Sequence, residues 1–301
     1  MYSGFSVTKE GFSHIEKNKP CQDASGYEVG SHYAIVAVSD GHGGDKYFRS
    51  AVGSTLAVSV TLRCLKEFLT EHWGRLIDTS ERQRDELLKN LERYIITQWR
   101  TEIEKDFQKN PLSEYEAALC NQFALSPDVF QEFFYGATLL CACMTQEYCF
   151  SAQIGDGQCV FLHDDGTEST PIEEDERLGF GMTTSLCDED AINSFRHCFA
   201  VSSTLSSVSA IFLATDGVAD SYSPESLQQF FRKVLQQMCV DYGFACSQLE
   251  EWLPLLSERG SRDDVTIAGI FANDENIASD ESNVSSAVIG NNSSSKALKD
   301  E

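Results

Sequence analysis

Apolar residues in the first half of this chain recur every three to four positions over two long stretches. The first stretch begins at Asp45 and runs to Leu69, and the second extends from about Glu81 to Gln108. This spacing is typical of amphipathic helices, because residues three and four apart share one helix face. Ser80 is suited to cap the second helix, since a serine hydroxyl accepts a hydrogen bond from an amide of the first helical turn. The pattern therefore predicts two long helices.

Shorter apolar runs, rich in β-branched residues or alanine, predict strands on either side of these helices. The runs are His32–Ser39, Ala137–Met144, Tyr148–Ile154, Cys159–His163, Ala210–Thr215 and Asp264–Ala272. Turns of a few polar residues separate the second, third and fourth runs, which indicates an antiparallel meander. Two more helices are predicted before the last strand, one from Pro224 to about Tyr242 and one near residues 247–258.

The order of these elements favours one fold class. Hairpin-type connections indicate antiparallel sheets covered by helices, rather than a doubly wound parallel sheet. A single domain over residues 1–272 fits this order best. Beyond it, residues 273–301 are rich in Asn, Ser, Asp and Ala and show little periodicity. This composition predicts a disordered tail.

The net charge of the chain excludes some classes of function. Its hydrophobic content of 42% is ordinary for a globular protein, but its formal charge is −24. Binding to nucleic acid is disfavoured, because no basic stripe is present to replace the counterions of phosphates. No run of about 18 apolar residues and no basic region followed by a long apolar stretch occurs, so neither a membrane span nor a signal peptide is expected.

The cysteines and histidines give little indication of a function. Eleven cysteines are scattered without a CxxC pair, which favours small buried side chains in a reducing cytosol over a zinc site. A soluble, cytoplasmic protein is therefore expected. Most of the histidines have no pairing motif and are expected to be structural. These are His14, His32, His72, His163 and His197.

Carboxylates stand beside Gly or Ser at the borders of four apolar runs. They belong to Asp40, Asp156, Asp216 and the pair Asp263-Asp264. One Asp-Gly pair is only a turn, but converging strand ends would collect all of these acids at one site. Hard cations such as Mg²⁺ and Mn²⁺ prefer carboxylate, carbonyl and water oxygens. The sequence therefore predicts a metal-dependent hydrolase.

The segment that follows the first predicted strand fits the hydrolysis of a phosphate ester. Two cations a few ångströms apart need a bridging carboxylate, and the leaving alkoxide needs a proton from a nearby acid. Asp40 is placed to be the bridging carboxylate. The residue that follows it, Gly41, has no side chain, so a backbone carbonyl is left open for coordination. His42 can donate the proton, and Gly43 and Gly44 let the chain pass close to a ligand.

Six motifs occur in an order that resembles the type 2C metal-dependent protein phosphatases, which hydrolyse phosphoserine and phosphothreonine. The motifs are Pro20-Cys-Gln-Asp23-Ala, Asp40-Gly-His-Gly-Gly44, Gly136-Ala-Thr-Leu, Gly155-Asp156-Gly157, Thr215-Asp216-Gly217 and Ser261-Arg-Asp263-Asp264-Val-Thr266. Each motif alone is weak, but the ordered set spans nearly the whole chain except the tail. The resemblance implies an α+β fold, an αββα sandwich of two central antiparallel β-sheets flanked by helices.

The resemblance also implies roles for individual residues around two Mg²⁺ or Mn²⁺ ions. In that family's pattern Asp40 bridges the metals and Gly41 contributes its carbonyl. Asp216 and Asp263 ligate one of the metals, and His42 is the general acid. Two further positions extend this set. Asp23 matches an acid that holds water at the metals, and Asp156 matches a ligand of a third, weaker metal, shared with Asp216.

Three positions depart from the family's pattern. Many relatives carry an Arg that grips the substrate phosphate five residues before the position of Asp23. Here the residue is Asn18, flanked by Lys17 and Lys19, which become the candidate substrate-binding residues. Gln22 replaces a common Glu, and Asp264 stands where the family often has Asn. The Cys-Gln-Asp version resembles a divergent bacterial branch.

Several alternatives stay open at this point. The implied partner is a phosphoprotein, with a Ser/Thr kinase or its targets in the same pathway, and the implied state is a monomer. A catalytically silent, phosphatase-like binding domain is the main alternative, motivated by Asn18 and Gln22. A covalent aspartyl mechanism at Asp40 is disfavoured, because position 42 is His rather than Asp. The segment Thr183-Thr184-Ser185 either reaches the substrate or forms a loop.

Overall fold

Two groups of β-strands form the centre of the molecule. The computed structural model describes residues 1–127, 131–173, 175, 183–202 and 207–273. The strands are β1 (Tyr2–Lys9), β2 (Asp23–Val29), β3 (Tyr33–Asp40), β4 (Leu139–Thr145), β5 (Tyr148–Ile154), β6 (Gln158–His163), β7 (Glu168–Ser169), β8 (Arg196–Val201), β9 (Val208–Ala214) and β10 (Val265–Ala272).

Helices connect these strands. The α-helices are α1 (Phe12–Lys17), α2 (Ser50–His72), α3 (Arg75–Asp78), α4 (Glu81–Lys109), α5 (Glu114–Gln122), α6 (Ala191–Ser194), α7 (Asp216–Ala219), α8 (Pro224–Val240) and α9 (Tyr242–Arg259). Short 3₁₀ helices span Asp45–Tyr47 and Glu132–Tyr135.

The strands pair into two antiparallel sheets. One sheet has the order β1-β10-β9-β6-β7, and the other has the order β2-β3-β4-β5-β8. Neighbouring strands run antiparallel in both. We call them the β10 sheet and the β3 sheet. In the β10 sheet Tyr2 lies opposite Ala272, so the first strand of the chain pairs with its last described strand.

The two sheets pack face to face through apolar side chains. The contacting residues include Val36, Val38, Leu140 and Ala142 from the β3 sheet, and Phe161, Ile211, Leu213 and Ile270 from the β10 sheet. Helices α2 and α4 cover the outer face of the β3 sheet, and α8 and α9 cover the outer face of the β10 sheet. Burying a Val, Leu, Ile or Phe side chain in this way contributes roughly 1.5–3 kcal/mol to the stability of the fold. The predicted αββα sandwich is confirmed.

The start of α4 agrees with the sequence pattern, whereas the start of α2 differs from it. Helix α4 begins at Glu81, and the Ser80 hydroxyl accepts a hydrogen bond from the amide of Gln83, as predicted. The first long helix was expected from Asp45, but α2 begins only at Ser50. The amide of Arg49 donates to the carbonyl of Phe134 at 2.9 Å, which fixes the preceding loop to the second 3₁₀ helix.

The predicted meander of three strands is wrong in its third strand. Strands β4 and β5 pair as expected, but β6 crosses to the β10 sheet and pairs with β9. Strand β8 occupies the free edge of β5 instead. The turn between β5 and β6 has positive φ at Gly155 (94°) and Gly157 (88°), a conformation that favours glycine. A short turn in the sequence does not distinguish a hairpin from a crossover between sheets.

Other expectations concern the cysteines, the membrane and the tail. All eleven cysteines are free, and six of them are buried. In the part of the chain that the structure describes, no helix combines the length and apolar character needed to cross a membrane. Of the predicted disordered tail at residues 273–301, only Asn273 is described, and residues 274–301 lie outside the described residues.

Candidate metal centre

The predicted acidic residues stand at strand ends from both sheets. Asp23 opens β2 and Asp40 closes β3, and the two lie opposite each other in the strand register. Asp216 follows β9, and Asp263 precedes β10. Burial, and then the charges of the nearby Asp23, Asp216 and Asp263, raise the pKa of the Asp40 carboxyl group. The fold therefore collects these four carboxylates at one end of the sandwich.

The protonation of this group is set by burial and by mutual repulsion. Burial is the largest cause of the raised pKa of Asp23 and of Asp40, and neighbouring carboxylates raise both further. Burial also raises the pKa of Asp216 to about 6, with Asp156 and Asp263 contributing. Asp40 and Asp216 are close enough that each alters the pKa of the other. Without a cation, this group retains protons that isolated aspartates would lose.

A buried oxygen of Asp216 tests whether the site suits a metal ion. Its Oδ1 atom is inaccessible to solvent and has no hydrogen-bond partner among the described residues. A buried carboxylate oxygen without a partner costs about 1–3 kcal/mol or more. A divalent cation would satisfy this oxygen and oppose the repulsion between the acids. The residues present therefore fit a hard cation with oxygen ligands.

Glycines next to the acids allow close backbone packing. A Cβ atom on Gly217 would lie 1.9 Å from the carbonyl oxygen of Asp264. A Cβ atom on Gly41 would lie 2.6 Å from the carbonyl oxygen of Ser50. A larger residue at Gly217 would push the segment that carries Asp216 away from Asp264. A larger residue at Gly41 would push the segment after Asp40 away from Ser50.

Asp156 lies on the turn between the sheets and is held by two threonines. Its amide donates to the Thr183 hydroxyl at 3.1 Å, and the amide of Gly155 donates to the Thr184 hydroxyl at 2.9 Å. Burial raises the pKa of Asp156, and the nearby Asp220 raises it further. Thr183 and Thr184 thus hold the loop that carries Asp156.

His42 lies directly after the end of β3, in a mostly buried position. Its Nε2 atom is 2.8 Å from the hydroxyl oxygen of Ser185, and that hydroxyl donates to the carbonyl of Ala137 at 3.1 Å. Burial and then the charge of Lys46 lower the pKa of His42 to about 4. In the metal-free, substrate-free chain the imidazole is therefore neutral at neutral pH. Sequence reasoning did not connect Ser185 with His42, because 143 residues separate them.

Asp264 holds the N-terminal segment beside the site. Its Oδ1 accepts from the amide of Gly11 at 2.6 Å and from Nδ1 of His14 at 3.0 Å. Its Oδ2 accepts from the amide of Gln22 at 2.6 Å. His14, Asp263 and Asp264 are near enough to share one cation, but both oxygens of Asp264 already accept hydrogen bonds. The His14–Asp264 contact was not expected from the sequence.

Gln22 connects three segments around the site. Its carbonyl accepts from the amide of Gly41 at 3.0 Å. Its side-chain Nε2 donates to the carbonyl of His42 at 3.1 Å and to the hydroxyl of Ser50 at 2.5 Å. A glutamate could not donate either of these last two bonds. The departure from the family's Glu therefore has a local structural explanation.

The three candidate substrate-binding residues lie at the end of α1 and differ in their surroundings. Lys17 is exposed in the last turn, and Asn18 is the left-handed cap of the helix, with φ of 51°. The ammonium of Lys19 is 3.3 Å from a carboxylate oxygen of Asp45 and 3.4 Å from the carbonyl of Gly43. Of the three, Lys19 contacts the loop that follows Asp40.

A family comparison agrees with the residues assembled at this end of the sandwich. The sequence model described as "Protein phosphatase 2C" matches residues 10–254. The chain belongs to the protein phosphatase 2C family. The matched range contains Asp23, Asp40, Asp156 and Asp216, whereas Asp263 lies beyond its end.

Solved structures share the protein phosphatase 2C fold with this chain. A bacterial serine phosphatase has a TM-score of 0.55 at 13% identity, covering 91% of this chain and 100% of the other. Stp1 from Staphylococcus aureus, a serine/threonine phosphatase, has a TM-score of 0.54 at 15% identity, covering 90% and 95%.

A third structure contains metal ions. The catalytic domain of the serine/threonine protein phosphatase PstP, in complex with two manganese ions, has a TM-score of 0.52 at 15% identity and covers 91% and 99% of the two chains. A search of curated protein sequences finds no match to this chain. At these low identities, the solved structures establish the fold and leave the chemistry to the residues of this chain.

Proposed function

We propose that this member of the protein phosphatase 2C family hydrolyses phosphoserine and phosphothreonine in proteins, with the help of Mg²⁺ or Mn²⁺. The observation that carries the proposal is the buried Oδ1 of Asp216, near Asp40, which has no hydrogen-bond partner among the described residues. The four acids Asp23, Asp40, Asp216 and Asp263 repel one another when they are charged, so keeping them together is costly unless a cation binds them. Their retention supports an active enzyme over a silent binding domain.

Particular residues of the chain would hold two ions, and others would hold a third. Asp40 and the carbonyl of Gly41, with Asp216 and Asp263, are the proposed ligands of the pair. Asp156 and Asp216 are the proposed ligands of the third ion. When bound, the ions supply Lewis-acid chemistry to the phosphoryl group and to the attacking water. Asp23 would hold water at these ions, and its carboxyl group is positioned by Thr215, whose hydroxyl donates to its Oδ2 at 2.8 Å.

His42 is the proposed proton donor to the leaving serine or threonine oxygen. Ser185 fixes the imidazole ring through the 2.8 Å contact at Nε2. The pKa of His42 is lowered to about 4 without substrate, so the ring must gain a proton before it can act. A phosphate dianion bound nearby favours the charged imidazole and raises this pKa. Substrate binding would thereby prepare the acid for its role.

The proposed partner is a phosphorylated protein, acted on by a Ser/Thr kinase elsewhere in the same pathway. We propose a cytoplasmic monomer. The negative charge of −24 disfavours nucleic acid as a partner, and no membrane partner is proposed. The bound ions would reverse the sign of the local field and let an anionic substrate enter an acidic protein.

Hydrolysis of a phosphothreonine peptide by the purified full chain tests the proposal. We expect turnover with Mn²⁺ and none with EDTA. Asp216→Asn should lower kcat by more than about a hundredfold, because it removes a charged ligand of both metal sites. Asp78→Asn, which alters an exposed acid on α3, serves as the matched control.

Two results would contradict the proposal. One is full turnover in a correctly folded Asp216→Asn variant. The other is no turnover in the wild-type chain at saturating metal. The second result, together with weak Mn²⁺ binding, would favour the silent binding domain.

A further inference from the structure

Positive charge is scarce around the acidic end of the sandwich. Three cationic side chains on segments beside the acids already have partners, and one of them, Arg196, donates to the carbonyl of Gly155 at 2.7 Å. Lys19 pairs with Asp45 at 3.3 Å, and the guanidinium of Arg262 pairs with Glu16 and lies 4.5 Å from the ring centre of Phe12. A phosphate dianion entering this site would benefit from a cation that still has free donor groups.

Lys46 occupies a different environment from these residues. It belongs to the 3₁₀ helix that follows Gly44 and is exposed to solvent. Within the described residues, no carboxylate lies within ion-pair distance of its ammonium. The group is nevertheless held in place, because its Nζ atom lies 4.9 Å from the ring centre of Tyr47 and 5.1 Å from that of Phe133.

These rings connect Lys46 to the proposed catalytic histidine. The Tyr47 ring lies edge-on to the His42 ring, with 4.7 Å between the two ring centres. The ring centres of Tyr47 and Phe133 are 4.6 Å apart. Lys46 is also close enough to act electrostatically on His42 and on Cys187. We call Lys46, Tyr47, Phe133 and His42 the Lys46 cluster.

Ring faces attract an ammonium without neutralising it. Such contacts contribute roughly 0.5–1 kcal/mol at exposed sites, and they leave N–H donors free for another partner. Lysine is a common ligand of phosphate, which it binds as a compact point charge. The Lys46 cluster thus holds a solvent-accessible cation, without an ion pair among the described residues, on the Tyr47 ring that contacts His42.

Resting on the proposed phosphatase function, we infer that Lys46 binds the phosphate group of the substrate. Its ammonium donates hydrogen bonds to phosphoryl oxygens and holds the phosphate beside His42. The adjoining α1 segment supplies a cap residue at Asn18 and a paired cation at Lys19, and its exposed Lys17 has no ring contact among the described residues to hold it near His42. The phosphate-binding cation therefore comes from the loop after β3.

Three variants of the full chain separate this role from general effects of charge. Lys46→Met removes the charge but keeps an unbranched stem against both rings. Lys46→Arg keeps a cation there. Lys233→Met removes the same charge from an exposed position on α8.

Two measurements on each variant test phosphate binding. The first is KM and kcat for a phosphothreonine peptide with Mn²⁺. The second is calorimetric binding of inorganic phosphate to the Mg²⁺-loaded protein, which requires no turnover. Thermal unfolding of each variant checks that the fold is retained.

We expect Lys46→Met to raise both KM and the Kd for phosphate about tenfold, the effect of losing one hydrogen bond to a charged group. The value of kcat should fall less than about threefold, since the lost contact serves binding. Lys46→Arg should restore most of the affinity, and Lys233→Met should match the wild-type chain.

Unchanged phosphate Kd in a folded Lys46→Met variant would overturn the inference, even if its melting temperature fell. An equal effect of Lys233→Met would also overturn it, because general electrostatics would then explain the result. If the wild-type chain hydrolyses no peptide, the proposed function fails, while the phosphate Kd values still decide the role of Lys46.

Discussion

At the scale of single residues, Gln22 places a neutral side chain beside the candidate metal centre, where the family resemblance implies a Glu. Its amide nitrogen donates to the His42 carbonyl and to the Ser50 hydroxyl, and Ser50 is fully buried. His42 lies two residues after the end of β3, and Ser50 is the first residue of α2. The side chain therefore positions the loop that carries the proposed bridging acid and proton donor.

We expect Gln22→Glu to lower the free energy of unfolding by about 1–3 kcal/mol at neutral pH. The new carboxylate would face the carbonyl of His42 and add one more negative charge near Asp40. Urea unfolding in EDTA measures this loss, with Gln229→Glu on an exposed turn of α8 as the control. Equal stability of the two variants would show that the amide donors of Gln22 contribute little.

Asp264 and His14 make a second point at the residue scale. The carboxylate accepts three hydrogen bonds from donors on the N-terminal segment. An asparagine has only one acceptor oxygen, and its NH₂ group would face a donor. The Asp at this position therefore suits the donors that surround it in this chain.

At the scale of whole elements, His197 connects the edge strand β8 to helix α4. Its Nδ1 lies 2.7 Å from a carboxylate oxygen of Glu92, and its Nε2 lies 3.0 Å from one of Asp85. Burial alone would lower the pKa of His197, but the hydrogen bonds and charges of Glu92 and Asp85 raise it overall. Glu92 is almost fully buried, so the imidazolium is its main compensating charge.

The raised pKa gives this contact a definite pH dependence. A histidine whose pKa is higher in the folded state stabilises the fold fully below its unfolded value of 6.5, and less as pH rises through the raised value. His197→Gln should therefore lower the free energy of unfolding by about 2–4 kcal/mol at about pH 6, and by less at about pH 9.

Urea unfolding at both pH values measures this effect, and His32→Gln, at an exposed histidine, is the control. A loss that is constant across the pH range would contradict a charged His197 between the two acids.

At the scale of the whole molecule, β1 and β10 pair with each other, so the two ends of the described chain lie side by side at one edge of the β10 sheet. The amide of Asn273 donates to the carbonyl of Met1 at 2.8 Å, directly after β10 ends. Asp263 precedes the opposite end of β10 and acts on Asp40 in the candidate metal centre. The site therefore assembles only when β10 is correctly paired in this sheet.

This arrangement predicts the effect of shortening the chain. Truncation after Asn273 should leave metal-dependent turnover within about twofold and the free energy of unfolding within about 0.5 kcal/mol, since residues 274–301 are rich in polar residues with little periodicity. Truncation after Gly260, which removes Asp263 and β10, should abolish folding. Loss of turnover in the first variant would contradict the proposed domain of residues 1–272.

Much of this structure was predictable at the level of single elements. The long helix α4 and its cap at Ser80 follow from a local period and a local hydrogen bond. The apolar runs that became β3, β5, β9 and β10 were also recognised. Strands β1, β2 and β8 were not predicted as separate strands, because they are half-exposed and carry short, mixed patterns.

The candidate site was predictable only in part. Its acids were found because each stands beside glycine or serine at the border of an apolar run, and the order of the six motifs was enough to indicate the family. The supporting residues have no such mark. Ser185, His14 and Lys46 lie in unremarkable local sequence, and their importance depends on what they contact.

The sequence by itself determined the local periods, the helix cap, the order of the elements and the residue types that can bind a hard cation. Each of these depends on residues a few positions apart, whose local interactions do not require a particular tertiary structure. Only the tertiary structure decided that β6 crosses to the second sheet, that Asp264 meets His14 across 250 residues, and that Asp40 meets Asp216. Such contacts arise from the packing of two sheets, because that packing alone brings distant strand ends together and removes their carboxylates from water.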